Sequence, residues 1–309
     1  MDLALLKSRI GRLASAALAA VALATTGCLF DDALIELDPA SLDDGSFDTL
    51  ASAESYRVAR RHVLESFGAY ACPSCPDAEA RLSPYLHAAP GSAAYSPDLI
   101  VVNYHVVFPG TLADPWITPA TQARYDQFGF SGLPQVKLNG SNAPYGIREK
   151  DVRYFQGEYD SLIRRRTRVD SLVWLDLRID TAYYDSGTQR LLVTFTALNR
   201  APSARGALTF RVAAVKNKSV TVFIAPSHPW ETIVAETTDR DSAGLALAVP
   251  GLPGLRSKTF TVSMTIPPET TRSPTPAVLE NPADYAVVVF VRNSRGVIEN
   301  AAARGYDPE

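Results

Sequence analysis

The segment LIVVNYHVVF, from Leu99 to Phe108, is apolar at nearly every position. A strand with this composition is covered on both faces, so the chain around it has to supply layers above and below a sheet. The flanking sequence suits such layering. His62 to Phe67 (HVLESF) reads as a short strand ending at a turn at Gly68, and Pro73 to His87 reads as a helix. Thr118 to Phe128 gives a second helix, Gln135-Val136-Lys137-Leu138 a strand closed by the turn Asn139-Gly140, and Glu149 to Arg166 a third helix. Strand and helix alternate, which predicts an α/β domain over residues 56–168.

Beyond Val169 the hydrophobic period becomes two. Val173, Leu175, Leu177 and Ile179 alternate with Trp174, Asp176, Arg178 and Asp180, and Leu191, Val193, Phe195 and Ala197 repeat the pattern. Leu208, Phe210 and Val212 do so again, as do Phe260, Val262, Met264 and Ile266, and Ala286–Arg292 with Val297–Ala301 reads as a hairpin around Asn293-Ser294-Arg295-Gly296. Strands at intervals with Pro and Gly between them predict an all-β, immunoglobulin-like sandwich over residues 169–309. The cations Arg164, Arg165, Arg166 and Arg168 fall where the last helix of the first domain would end, matching the negative end of its dipole.

The N-terminus is a different kind of sequence. Lys7, Arg9 and Arg12 lead into LASAALAAVALATTG before Cys28, the pattern of a secretory signal over residues 1–27. The apolar run is shorter than the roughly twenty residues that span a bilayer. Ala24-Thr25-Thr26-Gly27-Cys28 is similar to a bacterial lipobox, with Thr25 in place of the usual Leu or Val, and so Cys28 is the expected lipidation site. Several acyl chains on one residue would hold durably to a membrane. Residues 28–55 then read as a tether, since Leu29 to Tyr56 contains eight acidic residues and no Lys or Arg. A net charge of −3 provides no basic footprint, which argues against nucleic acid as a partner.

Only three cysteines are present, so with Cys28 assigned to lipid the remaining pair is Cys72 and Cys75 in the stretch AYACPSCPDAEARL. A redox couple, a metal clip and a structural staple are all conceivable. The staple is weak on energetic grounds, because closing so short a loop constrains the unfolded chain little. A metal clip would need His105, at the end of the apolar strand, to join Cys72 and Cys75 in a copper or zinc site, and three ligands are too few for closed structural zinc. His62, His87 and His228 form no spacing motif, and Asp126, Asp151 and Glu158 show no paired-carboxylate logic. Neither G-x-S-x-G, H-E-x-x-H nor a phosphate loop occurs. For redox work the context is favourable: a cysteine at a helix start sits beside unpaired N–H groups that favour thiolate.

Strand, turn, CxxC and helix, followed downstream by Leu133-Pro134 opening QVKLNG, resemble a thioredoxin-like arrangement, in which a cis-proline loop lies against the cysteines. More specifically, HVLESFGAYACPSCPDAEARL, Tyr104-His105, YDQFGFSGLPQVKLNG and the closing VVVFVRNSRGVIENAAA resemble the thioredoxin-like bacterial lipoproteins related to outer membrane protein twenty-eight, over roughly Tyr56 to Ala303. The resemblance implies a lipid-anchored outer-membrane protein, periplasmic or surface-facing, with a thioredoxin-like domain and an appended β-domain. It implies Cys72 as the exposed nucleophile, Cys75 as the resolving thiol, Leu133 and Pro134 as the substrate-binding edge, and Tyr70 beside a peptide groove. Partners would be protein thiols or disulfides of the envelope, with no cofactor beyond the redox-active disulfide. One position departs from the pattern. Ser66 stands where thioredoxin-like proteins carry an acid six residues before the first cysteine, and Glu65 beside it should point to the opposite face. The rival expectation is a surface binding or adhesion lipoprotein on the same scaffold.

Overall fold

A computed structural model describes residues 36–37, 48–49, 55–69, 72–86, 98–107, 116–130, 132–140, 171–185, 188, 190–220, 229–237, 247–249, 251–265 and 285–305. The signal segment, Cys28, Tyr70, His87, His228, the expected helix Glu149 to Arg166 and the cations up to Arg168 lie outside the described residues. In chain order the strands are β1 (Glu36–Leu37), β2 (Asp48–Thr49), β3 (Val58–Ala59), β4 (His62–Gly68), β5 (Leu99–His105), β6 (Gln135–Leu138), β7 (Leu172–Val173) and β8 (Leu175–Asp185). They continue with β9 (Arg190–Asn199), β10 (Leu208–Val220), β11 (Pro229–Thr237), β12 (Leu247–Val249), β13 (Arg256–Thr265), β14 (Tyr285–Asn293) and β15 (Ile298–Gly305). Two helices, α1 (Cys75–Leu86) and α2 (Pro119–Asp126), follow β4 and β5.

Eight strands form one sheet in the order β15-β14-β10-β11-β5-β4-β6, with β12 also paired to β10. The β4–β5 and β5–β11 pairings are parallel and the rest antiparallel. A second sheet runs β1-β13-β9-β8, with β2 also on β13, and β3 pairs with β7 separately. Residues 28–55 thus contribute two dipeptides to the edge of the second sheet, Glu36 opposite Ser263 and Asp48 opposite Ser257.

The core explains the layering. Phe210 to Val215 and Val287 to Val291 are buried at every position, so β10 and β14 are covered on both faces. On one face Phe210, Val212, Val287 and Val289 meet Leu177, Phe195, Phe260 and Val262 of the second sheet. The Phe195, Phe210 and Phe260 rings stand 4.8–5.6 Å apart between centroids. On the opposite face Ala213, Val215, Val288 and Phe290 share a cluster with Phe67, Val102 and Tyr104, against which Tyr125, Phe128 and Phe130 pack. In β8 the buried parity switches from Leu175, Leu177 and Ile179 to Ala182 and Tyr184, because a bulge leaves Asp180 unmatched between Ile179↔Phe195 and Thr181↔Thr194. The extra carboxylate accepts from the Thr196 hydroxyl at 2.6 Å.

These findings correct the expected fold class. An α/β thioredoxin-like domain followed by a separate immunoglobulin-like sandwich is not what forms: among the described residues there are fifteen strands against two helices, and the fold is mostly β. The reason is physical. The sandwich strands β10 and β14 have no polar face to turn to water, and β11 carries their sheet on into β5 through Ile233↔Asn103.

Helix α2 is fastened to the sheet by charge. Thr118 caps it, accepting from the Thr121 N–H at 3.1 Å while the Thr121 hydroxyl accepts from the Thr118 N–H at 3.0 Å, and Pro119 opens the first turn. Arg124, fully buried, donates Nε and Nη2 to the two oxygens of Glu65 in β4, at 2.7 and 2.8 Å. Burial works against the guanidinium charge, yet attraction and hydrogen bonding from Glu65 prevail and hold Arg124 above its ordinary range. Such a pair is costly to break rather than strongly stabilising in itself. Arg124→Met should cost about 3–5 kcal/mol by stranding the Glu65 carboxylate, and adding Glu65→Leu should recover most of that loss. Urea unfolding of the single and double variants measures both, and a single variant as stable as the parent would show that the pair does not pin α2.

Candidate functional site

The CPSC stretch leaves the end of β4 and turns directly into α1. The Cys72 N–H donates to Ala69 O at 3.1 Å, the Cys75 N–H to Cys72 O at 3.2 Å and the Ala78 N–H to Ser74 O at 3.3 Å, so α1 begins at Cys75. Pro73 lies in the preceding turn, and Pro76 takes the first-turn position where a missing donor costs nothing. Cys72 and Cys75 are joined in a disulfide with Cα atoms 5.4 Å apart, and Cys72 Sγ lies 3.8 Å from the Ser74 hydroxyl. Asp77 in the first turn of α1 is exposed. It favours the helix but opposes a negative sulfur near the same end.

Cys72 was expected at the surface, and the structure places it inside: Cys72 is 1% and Cys75 2% exposed. Both belong to the cluster that holds Ala69, Trp116, Leu175 and the core between the two sheets. Leu133 is half-buried and packs against this cluster as well as against the aromatic one beneath α2. The Leu133-Pro134 peptide is cis, Pro134 is buried, and Gly132 O accepts from the Tyr125 hydroxyl at 3.1 Å. The chain thus brings Cys72, Cys75 and Leu133 to one apolar cluster, with Pro134 adjoining.

His105 ends β5 opposite Gly68, and the Val106 N–H donates to Gly68 O at 3.0 Å, so the histidine lies at the edge from which the CPSC turn departs. Among the described residues no three His, Cys, Asp or Glu side chains come together in a metal-holding group, and the disulfide engages both sulfurs.

A buried carboxylate on the α1 side of β4 is carried by the helix and not by the strand. Leu64 shares a cluster with Leu82 of α1, whereas Val63 and Phe67 share one with the aromatics beneath α2. By strand alternation Ser66 therefore faces α1, and Glu65 faces away toward Arg124. On the α1 side Asn103, the register partner of Ser66, donates Nδ2 to Glu79 Oε1 at 2.8 Å. Glu79 is buried and stands four residues beyond Cys75, on the same helical face. Its signal in the sequence was that spacing, CPDAE, in a helix whose neighbours at 78 and 82 are apolar.

Comparison with solved structures gives matches at low sequence identity. HBP35 of Porphyromonas gingivalis matches with a TM-score of 0.57 at 16% identity, covering 81% of this chain and 76% of its own. A domain of the outer membrane lipoprotein Omp28 from the same organism matches at 11% identity over 44% of this chain and 91% of its own, with a TM-score of 0.27. Spo0M, a sporulation control protein from Bacillus subtilis, aligns over 43% of this chain and 47% of its own at 12% identity and a TM-score of 0.29. No family model and no curated protein matches the chain. The likeness to HBP35 is one of fold.

If Leu133 covers the cysteines, trimming it exposes them. Leu133→Ala should speed alkylation of the reduced Cys72 thiol by about tenfold under native conditions, because local opening becomes easier when apolar contacts are removed. Tandem mass spectrometry of the peptide after timed iodoacetamide pulses reads the rate at Cys72 apart from Cys75. An unchanged rate would assign the cover to other residues of the cluster.

Proposed function

We propose that the chain is a thiol–disulfide exchange protein of the bacterial envelope, tethered by lipid on Cys28, with Cys72–Cys75 as its working couple. The observation that carries this reading is a closed disulfide between residues three apart whose second cysteine is the first residue of a helix. In the reducing direction the Cys72 thiolate attacks one sulfur of a partner disulfide. The partner S–S bond breaks, its second sulfur leaves as thiolate and takes a proton, and a mixed disulfide remains. Cys75 then loses its proton and attacks Cys72 Sγ, releasing the other partner sulfur as a thiol. Two electrons pass to the partner and the Cys72–Cys75 bond reforms. In the oxidising direction every step reverses.

Burial sets the condition under which this works. A helix start stabilises a negative sulfur by up to about 2 kcal/mol. Placing that charge among apolar side chains costs more. Exchange therefore requires the Leu133 side of the cluster to open and admit solvent and partner together. Envelope placement rests on the leader and lipobox-like sequence before Cys28.

The same burial favours a second reading, in which the pair is redox-silent and the chain is a binding or adhesion lipoprotein. The reduction potential separates the two. Equilibration with glutathione or dithiothreitol buffers should place the couple between about −120 and −270 mV, the range of known exchangers. Under the exchange reading Cys75→Ala should also accumulate mixed disulfides through Cys72. A potential below about −300 mV would mark a structural disulfide and transfer the argument to the binding reading.

A further inference from the structure

Across the sheet from α1, three guanidinium groups from three elements meet one neutral oxygen. Gln127, which follows α2, accepts at Oε1 from Arg124 Nη1 at 3.0 Å, from Arg211 Nη2 of β10 at 3.3 Å and from Arg292 Nη1 of β14 at 3.5 Å. The register explains the meeting. Arg211 lies opposite Phe290 and Arg292 opposite Thr209, so the two arginines share a sheet face one diagonal step apart.

Two glycines keep this corner open. A Cβ on Gly140 would sit 2.8 Å from Gly296 O and 3.6 Å from Arg124 Nη2. Gly296, at φ +78°, would bring a Cβ to 2.9 Å from Arg292 Nη2, and its carbonyl accepts from Arg292 Nε at 3.1 Å. Gln127 is exposed and Arg292 half-buried, so the meeting point communicates with solvent. The cations also feel one another. Burial, and after it the neighbouring Arg124 and Arg292, push Arg211 down to about 9; burial and then Arg124 push Arg292 down to about 10. Glu65 offsets part of that repulsion, and the amide oxygen, which carries no net charge, leaves the rest in place. A dianion in its position would remove it.

We propose that this corner binds a tetrahedral oxyanion of the phosphate class, which displaces the Gln127 amide and takes hydrogen bonds from Arg124, Arg211 and Arg292. Guanidinium forks arriving from three elements suit a group with four oxygens better than the two of a carboxylate. The site lies on the face opposite α1 and is independent of the exchange chemistry.

Isothermal titration calorimetry of the full chain with inorganic phosphate, and separately with glycerol phosphate, tests this against sodium chloride at matched ionic strength. Saturable one-to-one binding is expected, weakened at least about tenfold in Arg292→Gln, because a charged hydrogen-bond donor is lost. Gln127→Glu places a fixed carboxylate at the meeting point, so it should raise the melting temperature and abolish phosphate binding. Binding of both ligands identifies the free ion as sufficient, and binding of glycerol phosphate alone assigns the site to a phosphomonoester. No saturable heat with either ligand, or parental affinity in a folded Gln127→Glu protein, would overturn the proposal.

Discussion

The structure depends on strands that have no side to spare for water. Val287 to Val291 is five apolar residues in succession, and Phe210 to Val215 is interrupted only by Arg211. Such strands are stable only between two layers. The second sheet, with Phe195 and Phe260, supplies one layer, and the aromatics at and after α2 supply the other. Neither half of the chain could therefore close its core alone. That requirement carries the sheet from β10 through β11 into β5, and it places the CPSC turn against the second sheet instead of in solvent.

Much of the local structure was legible in the sequence. The strand HVLESF, which runs one residue further through Gly68, the helix after CPSC, the helix after Thr118 and the turn at Asn139-Gly140 lie where periodicity and turn chemistry put them. So do the alternating strands after Leu172 up to Ile179, where the bulge at Asp180 shifts the parity in a way that no alternation count reveals. The architecture departs from the expected two domains for an identifiable reason. Ala286–Arg292 does form the expected hairpin with the strand that follows it, but its unbroken apolar character carries the same two-faced message as Leu99–Phe108. Reading both runs alike would have required a partner layer for the sandwich and removed the grounds for two independent cores.

The candidate site divides along the same line. The cysteines were evident from spacing, since both chemistry-bearing atoms lie within one turn of chain. Their burial was not evident, because it depends on Trp116 and on Leu175, which are far away in sequence. The arginine corner was less legible still. Arg124, Arg211 and Arg292 are spread across 169 positions, and only the β10–β14 register and the seating of α2 bring them to a common oxygen. Isolated arginines in apolar strands carry a weak clue, for burying a guanidinium is tolerated only where acceptors have been arranged for it.

Glu79 shows how a side chain can change its supporting element and, with it, its mechanical coupling. An acid at the Ser66 position would belong to β4, so its distance from the cysteines would change whenever α1 shifted against the sheet. Glu79 belongs to α1 itself, one helical turn of about 5.4 Å beyond Cys75. Its separation from Cys75 is set by helix geometry and is preserved if the helix start moves. Its bond to Asn103 is then the element that would yield, since that bond crosses from helix to sheet. In the proposed exchange reaction Glu79 would thus keep its helical spacing from Cys75 through an opening motion, which an acid carried on β4 would not.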